Sequence, residues 1–393
     1  MNFYEARNII LENISPVSSE NVSLSEAAAR ISYYDITATY NVPAFDRSPY
    51  DGYAFKAGDT PAKLKIVEEI RAGDVPNIAI NSGEAAKILT GAKIPAGADS
   101  VIKFEDTEFN NDTVIISKKF HGGENIIKAG EDVKTGDILV KKGDFIDSGK
   151  AGLIASQGIA EIKIYKRPTI GIISTGNELQ DLSAEISDGK IYNTSRYAFE
   201  AALKISGFTP RFIAIIDDDE QKISRAINES ISLCDALILT GGVSVGDYDK
   251  TSEALKISGA KIIVRNIALK PGGKCIYAVK NNKLICCLSG NPASALTNYY
   301  AVALPALKKL SGLNNFIPAE ITITLDNAFN KKSPQMRIIR GKMLIKDGKI
   351  FMHVPSEQGN GVLSTIADSN LMAVIPANSE KLQEGTQLKG FII

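Results

Sequence analysis

The spacing of hydrophobic positions changes three times along this 393-residue chain, and each change predicts a different kind of structure. Residues 2–14 (NFYEARNIILENI) carry apolar side chains at helical intervals. A second helix is predicted over residues 23–31, opened by Ser23 or Ser25 as N-cap before LSEAAARI. From Leu64 to about Val140, short apolar runs (KLKIVEEI, EAAKILT, DSVIKFED, DTVIIS, DILVKKG) are separated by Gly, Pro and Asn-Asn turns, the pattern of a small β-rich module. GKAGLIASQGI (149–159) predicts a helix closed by Gly158, and Pro168 marks a boundary.

Between residues 167 and 311 the pattern alternates strand, polar loop, helix. TIGIIST, RFIAII, ALILTGG and KLICCLSG are predicted strands; YAFEAALKISG, EQKISRAINESISLC, DKTSEALKISG and PASALTNYYAVALPALKKLSG carry helical spacing. Such alternation predicts an α/β domain, a doubly wound and mostly parallel sheet with helices on both faces. Right-handed crossovers then gather the strand ends at one edge, where ligands bind. From residue 316 alternating strands return, with a hairpin at Asp347-Gly348. The predicted division is a helical and linker unit (1–45 with 141–166), an inserted β-rich module (46–140), the doubly wound domain (167–312) and a C-terminal β domain (316–393).

Lys plus Arg and Asp plus Glu are equal at 45 each, so no global field favours nucleic acid or an anionic membrane. Any anion site must be built locally. The four cysteines lie in apolar contexts without C-x-x-C spacing, which argues against a zinc knuckle or a disulfide framework and fits a reducing cytoplasm. No signal-peptide pattern and no membrane-length apolar run is present. Only two histidines occur, disfavouring a histidine triad or a His-rich metal site.

The sharpest local signal is DALILTGGVSVGDYDK (235–250), a strand running into a glycine loop that is either an ordinary turn or an anion cradle. It lacks the Lys-Ser/Thr ending of a P-loop. STGNEL (174–179), DDDEQ (217–221) and SGNPAS (289–294) follow the other strands, so Glu178, Asp218, Asp219, Asp247 and Asp249 converge on one sheet edge. Carboxylates crowded in this way call for a cation such as Mg²⁺ or for loop N–H donors. Lys270 and Lys274 of KPGGK, and SGNPAS at a helix N-terminus, can meet phosphate. PAFDRSPYDGYAF (43–55), LTGAKIPAGADSVIKFED (89–106) and GGENIIKAGEDVKTGDIL (122–139) are either turn chemistry or parts of a site.

PAFDRSPYDGYAF, ILTGAKIPAGADSVI, GENIIKAGEDVKTGDIL, STGNEL, IYNTSRYAF, TGGVSVGDYD, KPGGK and SGNPAS occur in the order of, and closely resemble, the signature motifs of the molybdopterin molybdenumtransferases, the family of bacterial MoeA and the gephyrin C-terminal domain. The resemblance implies a homodimer of four-domain subunits with a molybdopterin-binding type of central domain and a small barrel-like C-terminal domain. It implies insertion of molybdate into adenylylated molybdopterin with release of AMP, Mg²⁺ as cofactor, and transient contacts with other cofactor-biosynthesis proteins. The site would lie between the central domain of one subunit and the N- and C-terminal parts of the other. Carried over by motif, Asp51, Thr90, Asp132, Glu178, Asp218 and Asp249 would be catalytic, with Glu178, Asp218 and Asp249 as metal ligands. Gly241, Gly242, Ser244, Gly246, Asp247, Lys270, Lys274, Asn291 and Pro292 would bind substrate, and Arg337, Arg340 and Ser364 would serve the oxyanion.

The chain departs from the family pattern at Asn177, Ser289, Ile127 and Asn266, and KPGKP has become KPGGK followed by Cys275. Fewer cations remain while every predicted site acid is kept, which leaves the choice between molybdate and tungstate open. The competing readings are a pterin adenylyltransferase or nucleotide pyrophosphatase, and a non-catalytic pterin-binding scaffold.

Overall fold

The computed structural model describes residues 1–110, 112–243 and 250–393. Its centre is a six-stranded sheet in the order Thr209–Ile216, Thr169–Thr175, Ala236–Thr240, Lys283–Leu288, Ile276–Lys280, Lys261–Arg265. The first four run parallel, and Ile276–Lys280 pairs antiparallel with both of its neighbours. The alternation of side chains along each strand divides the core in two. Ile170, Ile172, Ile238, Cys286 and Leu288 face Phe199, Leu203 and the helical run after Pro292. Ile173, Leu237, Leu239, Ile285 and Cys287 face Ile223, Ile227, Ala254 and Leu255 on the other side. Both faces are covered, as the parallel pattern requires. Lys261–Arg265 and Ile276–Lys280 are strands that the sequence pattern did not single out.

The helical run PASALTNYYAVALPALKKL forms as Pro292–Asn298, a π turn over Tyr299–Ala303, and Leu304–Leu310. The π turn lies just before Pro305, whose missing N–H breaks the regular hydrogen-bond ladder. Helix Phe3–Glu12, capped by Asn2 accepting from Glu5 N–H at 2.9 Å, buries Phe3, Ala6 and Ile10 in the central core. The start of the chain therefore packs on the α/β domain, apart from the rest of residues 1–45.

The second predicted helix does not form. Ser23 does start a turn, its Oγ donating to Glu26 Oε2 at 2.7 Å while Ala27 N–H reaches Ser23 C=O. Ala29 then turns to φ 58° and gives its N–H to Ile146 C=O, so the turn ends before a second one can build on it. Strand Ser19–Ser23 instead pairs with Glu161–Tyr165, and Ile36–Thr37 with Ile138–Val140, around a small core of Ile36, Val140, Ile146, Ile154 and Ile162. The predicted helix at 149–159 forms as Ser148–Ala155 from an Asp147 cap, and Gly158 follows at φ 67°.

Between these paired ends, a six-stranded sheet runs Ser100–Lys103, Gly52–Phe55, Glu84–Ile88, Ala62–Ile70, Thr113–Ile116, Glu108–Asn110. At the C-terminus, Met336–Lys346, Lys349–His353, Ile321–Leu325, Gln387–Ile392 and Leu371–Ile375 close into a five-stranded barrel. Its hairpin turns at Asp347 and Gly348, both at positive φ, as the sequence predicts. Among the described residues no helix is long and apolar enough to cross a membrane.

Candidate functional site

A cleft of about 870 Å³ opens at the carboxyl edge of the parallel strands. It is lined by loops that follow three of them, at Thr175–Glu178, Thr240–Val243 and Ser289–Pro292, and by Asp218 after the fourth. Glu178, Asp218, Gly241, Gly242, Lys274, Asn291 and Pro292 of the predicted set thus share one cavity. Ser244, Gly246, Asp247 and Asp249, which follow Val243 in the glycine loop, lie outside the described residues.

The two acids feel each other. Asp218 N–H donates to Asn177 Oδ1 at 3.1 Å, which ties the two acidic loops together. Burial first, then the negative charges of Glu178 and Asp217, push the Asp218 carboxyl above its ordinary range, opposed by a hydrogen bond from the Asn177 backbone. In the same cleft, Gly241 sits at φ 102° with its N–H on Leu288 C=O at 3.1 Å. A Cβ there would lie 2.2 Å from Thr175 C=O, so only glycine lets the loop lie this close to the first strand.

A second, polar cavity of about 500 Å³ adjoins the cleft and shares Lys274, Ser289 and Asn291 with it. Lys270, Gln335 and Asn360 complete its wall. The KPGGK loop therefore presents one lysine to the second cavity and the other to both. The main cleft also has apolar lining, from Leu179, Ile186, Ile191 and Val243, with Tyr192 among them. A cleft that combines acids, a glycine loop and a lysine with apolar side chains suits a ligand with a phosphate and a flat heterocycle.

Asn193 is a residue that sequence reasoning passed over. It caps helix Thr194–Ile205, accepting from Arg196 N–H at 3.1 Å and from Ser174 Oγ at 3.2 Å. It lines the cleft, is fully buried, and its Nδ2 has no partner among the described residues. The cap position in IYNTSRYAF was the available signal.

The remaining predicted residues stand elsewhere. Asp51 accepts from Thr90 N–H at 2.7 Å and from Thr90 Oγ1 at 2.8 Å. Arg47 pairs its backbone with Ile127, and Ser48 exchanges backbone hydrogen bonds with Gly91 and Ala92, so the three N-terminal motifs are stitched into one surface. Asp132 is exposed on the same stitched segment, its N–H on Val42 C=O. None of Asp51, Thr90 and Asp132 lines the cleft of their own chain. Lys128, the cation just ahead of GED, is held by Asp46 at 2.9 Å.

Two arginines predicted for the oxyanion are occupied by packing. Arg340 is fully buried, its Nη atoms donating to Thr297 Oγ1 at 3.3 Å and to Gly359 C=O and Thr365 Oγ1 at 3.2 Å. Arg337 is 8% exposed, lies over the Phe329 ring and donates from Nε to Ser333 Oγ at 3.0 Å. Neither lines the cleft or its neighbour. Ser364 is exposed on the short helix Leu363–Ala367, whose Leu363 does reach the cleft.

Three family models match the chain: the MoeA N-terminal region (domain I and II) over residues 1–158, the probable molybdopterin binding domain over 171–309, and the MoeA C-terminal region (domain IV) over 322–389. A molybdopterin molybdenumtransferase of Staphylococcus aureus strain Mu50 is 34% identical over 388 residues, covering 97% of this chain and 93% of the relative. One from Staphylococcus epidermidis is 33% identical with the same coverage. A crystal structure of the molybdopterin biosynthesis MoeA protein from Pyrococcus horikoshii superposes with a TM-score of 0.85 at 28% identity, covering 100% of this chain and 98% of that one.

Proposed function

The chain belongs to the MoeA family of molybdopterin molybdenumtransferases and acts in molybdenum cofactor biosynthesis, and from that premise we propose that it inserts molybdate into adenylylated molybdopterin and releases AMP. The observation that carries this reading is the meeting of Glu178, Asp218, Gly241, Lys274 and Asn291 in one cleft that Leu179, Ile186, Ile191 and Val243 also line. The apolar side chains take a heterocycle of the substrate, and the loops and lysines take its anionic groups. In this reading Lys270 and Lys274 hold tetrahedral oxyanions in the adjoining polar cavity.

Glu178 and Asp218 suit Mg²⁺, a hard cation that binds through one or two carboxylates and completes its shell with water and substrate phosphate. The raised Asp218 carboxyl beside Glu178 marks a place where a cation would relieve repulsion. Among the described residues no group of three or more His, Cys, Asp and Glu gathers, so the fit rests on these two acids. Bound there, Mg²⁺ would neutralise phosphate charge.

Asp51, Thr90 and Asp132 would complete the site of a second copy, because they form one exposed surface yet line no cavity of their own chain's cleft. A homodimer of this kind also gives a use to an apolar groove of about 400 Å³ between Phe145, Phe208 and Phe316, beside which Ile205 is 86% exposed. Incubation with adenylylated molybdopterin, Mg²⁺ and either molybdate or tungstate, with AMP quantified, tests the reaction. AMP at the level of a protein-free control overturns it, and the two oxyanions side by side report preference.

A further inference from the structure

The KPGG loop is gripped from beneath by a buried relay. Gly272 gives its N–H to Ser294 Oγ at 3.0 Å, and its C=O accepts from Asn298 Nδ2 at 2.6 Å. Ser294 and Asn298 stand four residues apart on helix Pro292–Asn298 and so share a face. Tyr277 completes the relay from the sheet, donating its hydroxyl to Asn298 Oδ1. With that oxygen taken by a donor, the amide must turn its nitrogen toward Gly272. Asn298 and Tyr277 are 1% and 0% exposed and line neither cavity, so water does not stand in for a partner lost between them.

The loop has little room to settle in another place. At Gly272 a Cβ would come within 2.9 Å of Ser294 C=O, and at Gly273 within 2.2 Å of Leu269 C=O. Gly273 C=O in turn accepts from Ile267 N–H at 2.8 Å. The helix whose first residues line the cleft thus holds both polar backbone groups of the Gly272 that stands between Lys270 and Lys274. Lysine loop and helix form one unit.

We propose that Asn298, oriented by Tyr277, is a positioning residue that sets Lys270 and Lys274 for the tetrahedral oxyanions of the reaction, phosphate or molybdate. Neither Asn298 nor Tyr277 touches the cleft or its neighbour. The inference rests on the proposed reading of these cavities as oxyanion sites. Its consequence is that an alteration confined to the buried relay changes anion affinity at a distance.

The test uses the full chain with Tyr277→Phe, which removes one hydroxyl and keeps the ring, and Asn298→Ala as the stronger variant. Binding of AMP and of molybdate is measured separately by calorimetry, with the thermal midpoint recorded for each variant. Tyr277→Phe should weaken binding of at least one of the two probes about fivefold, and Asn298→Ala more, the scale of one lost neutral hydrogen bond. The arm that responds identifies the oxyanion. Unchanged affinity for both probes in Tyr277→Phe, whatever the thermal midpoint does, overturns the proposal and leaves the relay a packing feature. If wild-type protein releases no AMP in the turnover assay, the reaction fails while the binding comparison still decides the role of the relay.

Discussion

Thr90 holds the Asp51 carboxylate by both its backbone N–H and its hydroxyl, at 2.7 and 2.8 Å on the same oxygen. The backbone bond first, then the hydroxyl, keep Asp51 below the usual carboxylate range. A depressed folded value means that this contribution to stability is present above the unfolded pKa and lost as pH falls through the folded one. Thr90→Val removes the hydroxyl alone, so an NMR titration should show Asp51 moving part of the way back up. Asp51→Asn should lower AMP release by about tenfold or more; wild-type turnover in a protein verified as dimeric would remove Asp51 from the chemistry.

Asp218 behaves in the opposite sense. Its folded pKa is raised above the ordinary 3.8, so the folded state holds the proton more tightly. Relative stability from this group is greatest below the unfolded value and declines as pH rises through the folded one. Asp218→Asn should therefore gain stability over wild type as pH rises above about 4 in the absence of divalent cation. Mg²⁺ bound beside Glu178 would lower the Asp218 value again and expel protons near that pH. Calorimetry of Mg²⁺ binding in buffers of different ionisation enthalpy reads this release; no difference between buffers at pH near the raised value would place the cation elsewhere.

Gly241→Ala should damage the cleft selectively. The new methyl would sit 2.2 Å from Thr175 C=O with the backbone at φ 102°, a combination that costs about 2 kcal/mol or more. Gly58→Ala, with nothing within 4 Å of its Cβ, serves as the control and should stay within about 0.5 kcal/mol. Urea midpoints of the two variants make the comparison.

Arg340→Ala should act on stability. The guanidinium joins the barrel to helix Pro292–Asn298 and to the 359–365 segment, and its loss strands Thr297, Gly359 and Thr365 acceptors in a buried place. A cost of about 2–4 kcal/mol is expected in denaturant unfolding. Loss of molybdate affinity at unchanged stability would return Arg340 to the oxyanion site.

The order of strands and helices between residues 167 and 311 was legible because each obeys a local period. Ile170 and Ile172 against Ile173, or Leu237 and Leu239 against Ile238, announce a strand buried on both faces before any partner is known. The glycine and acid loops after those strands were legible for the same reason, since a parallel sheet sends its strand ends to one edge. Short elements were less so. Lys261–Arg265 and Ile276–Lys280 owe their strand state to pairing with each other and with Lys283–Leu288, and residues 23–31 lose their helix where Ala29 gives its N–H to Ile146 C=O.

What the chain determined alone was thus the local conformation and the inventory of acids, glycines and lysines. Only the tertiary structure decided which of them meet. It brought Glu178 and Asp218 into one cleft, sewed Asp51 and Thr90 into a separate surface, and buried Arg340 where a cation was expected to face ligand. Proximity between residues far apart in sequence depends on how whole faces bury against one another, and no local period carries that information.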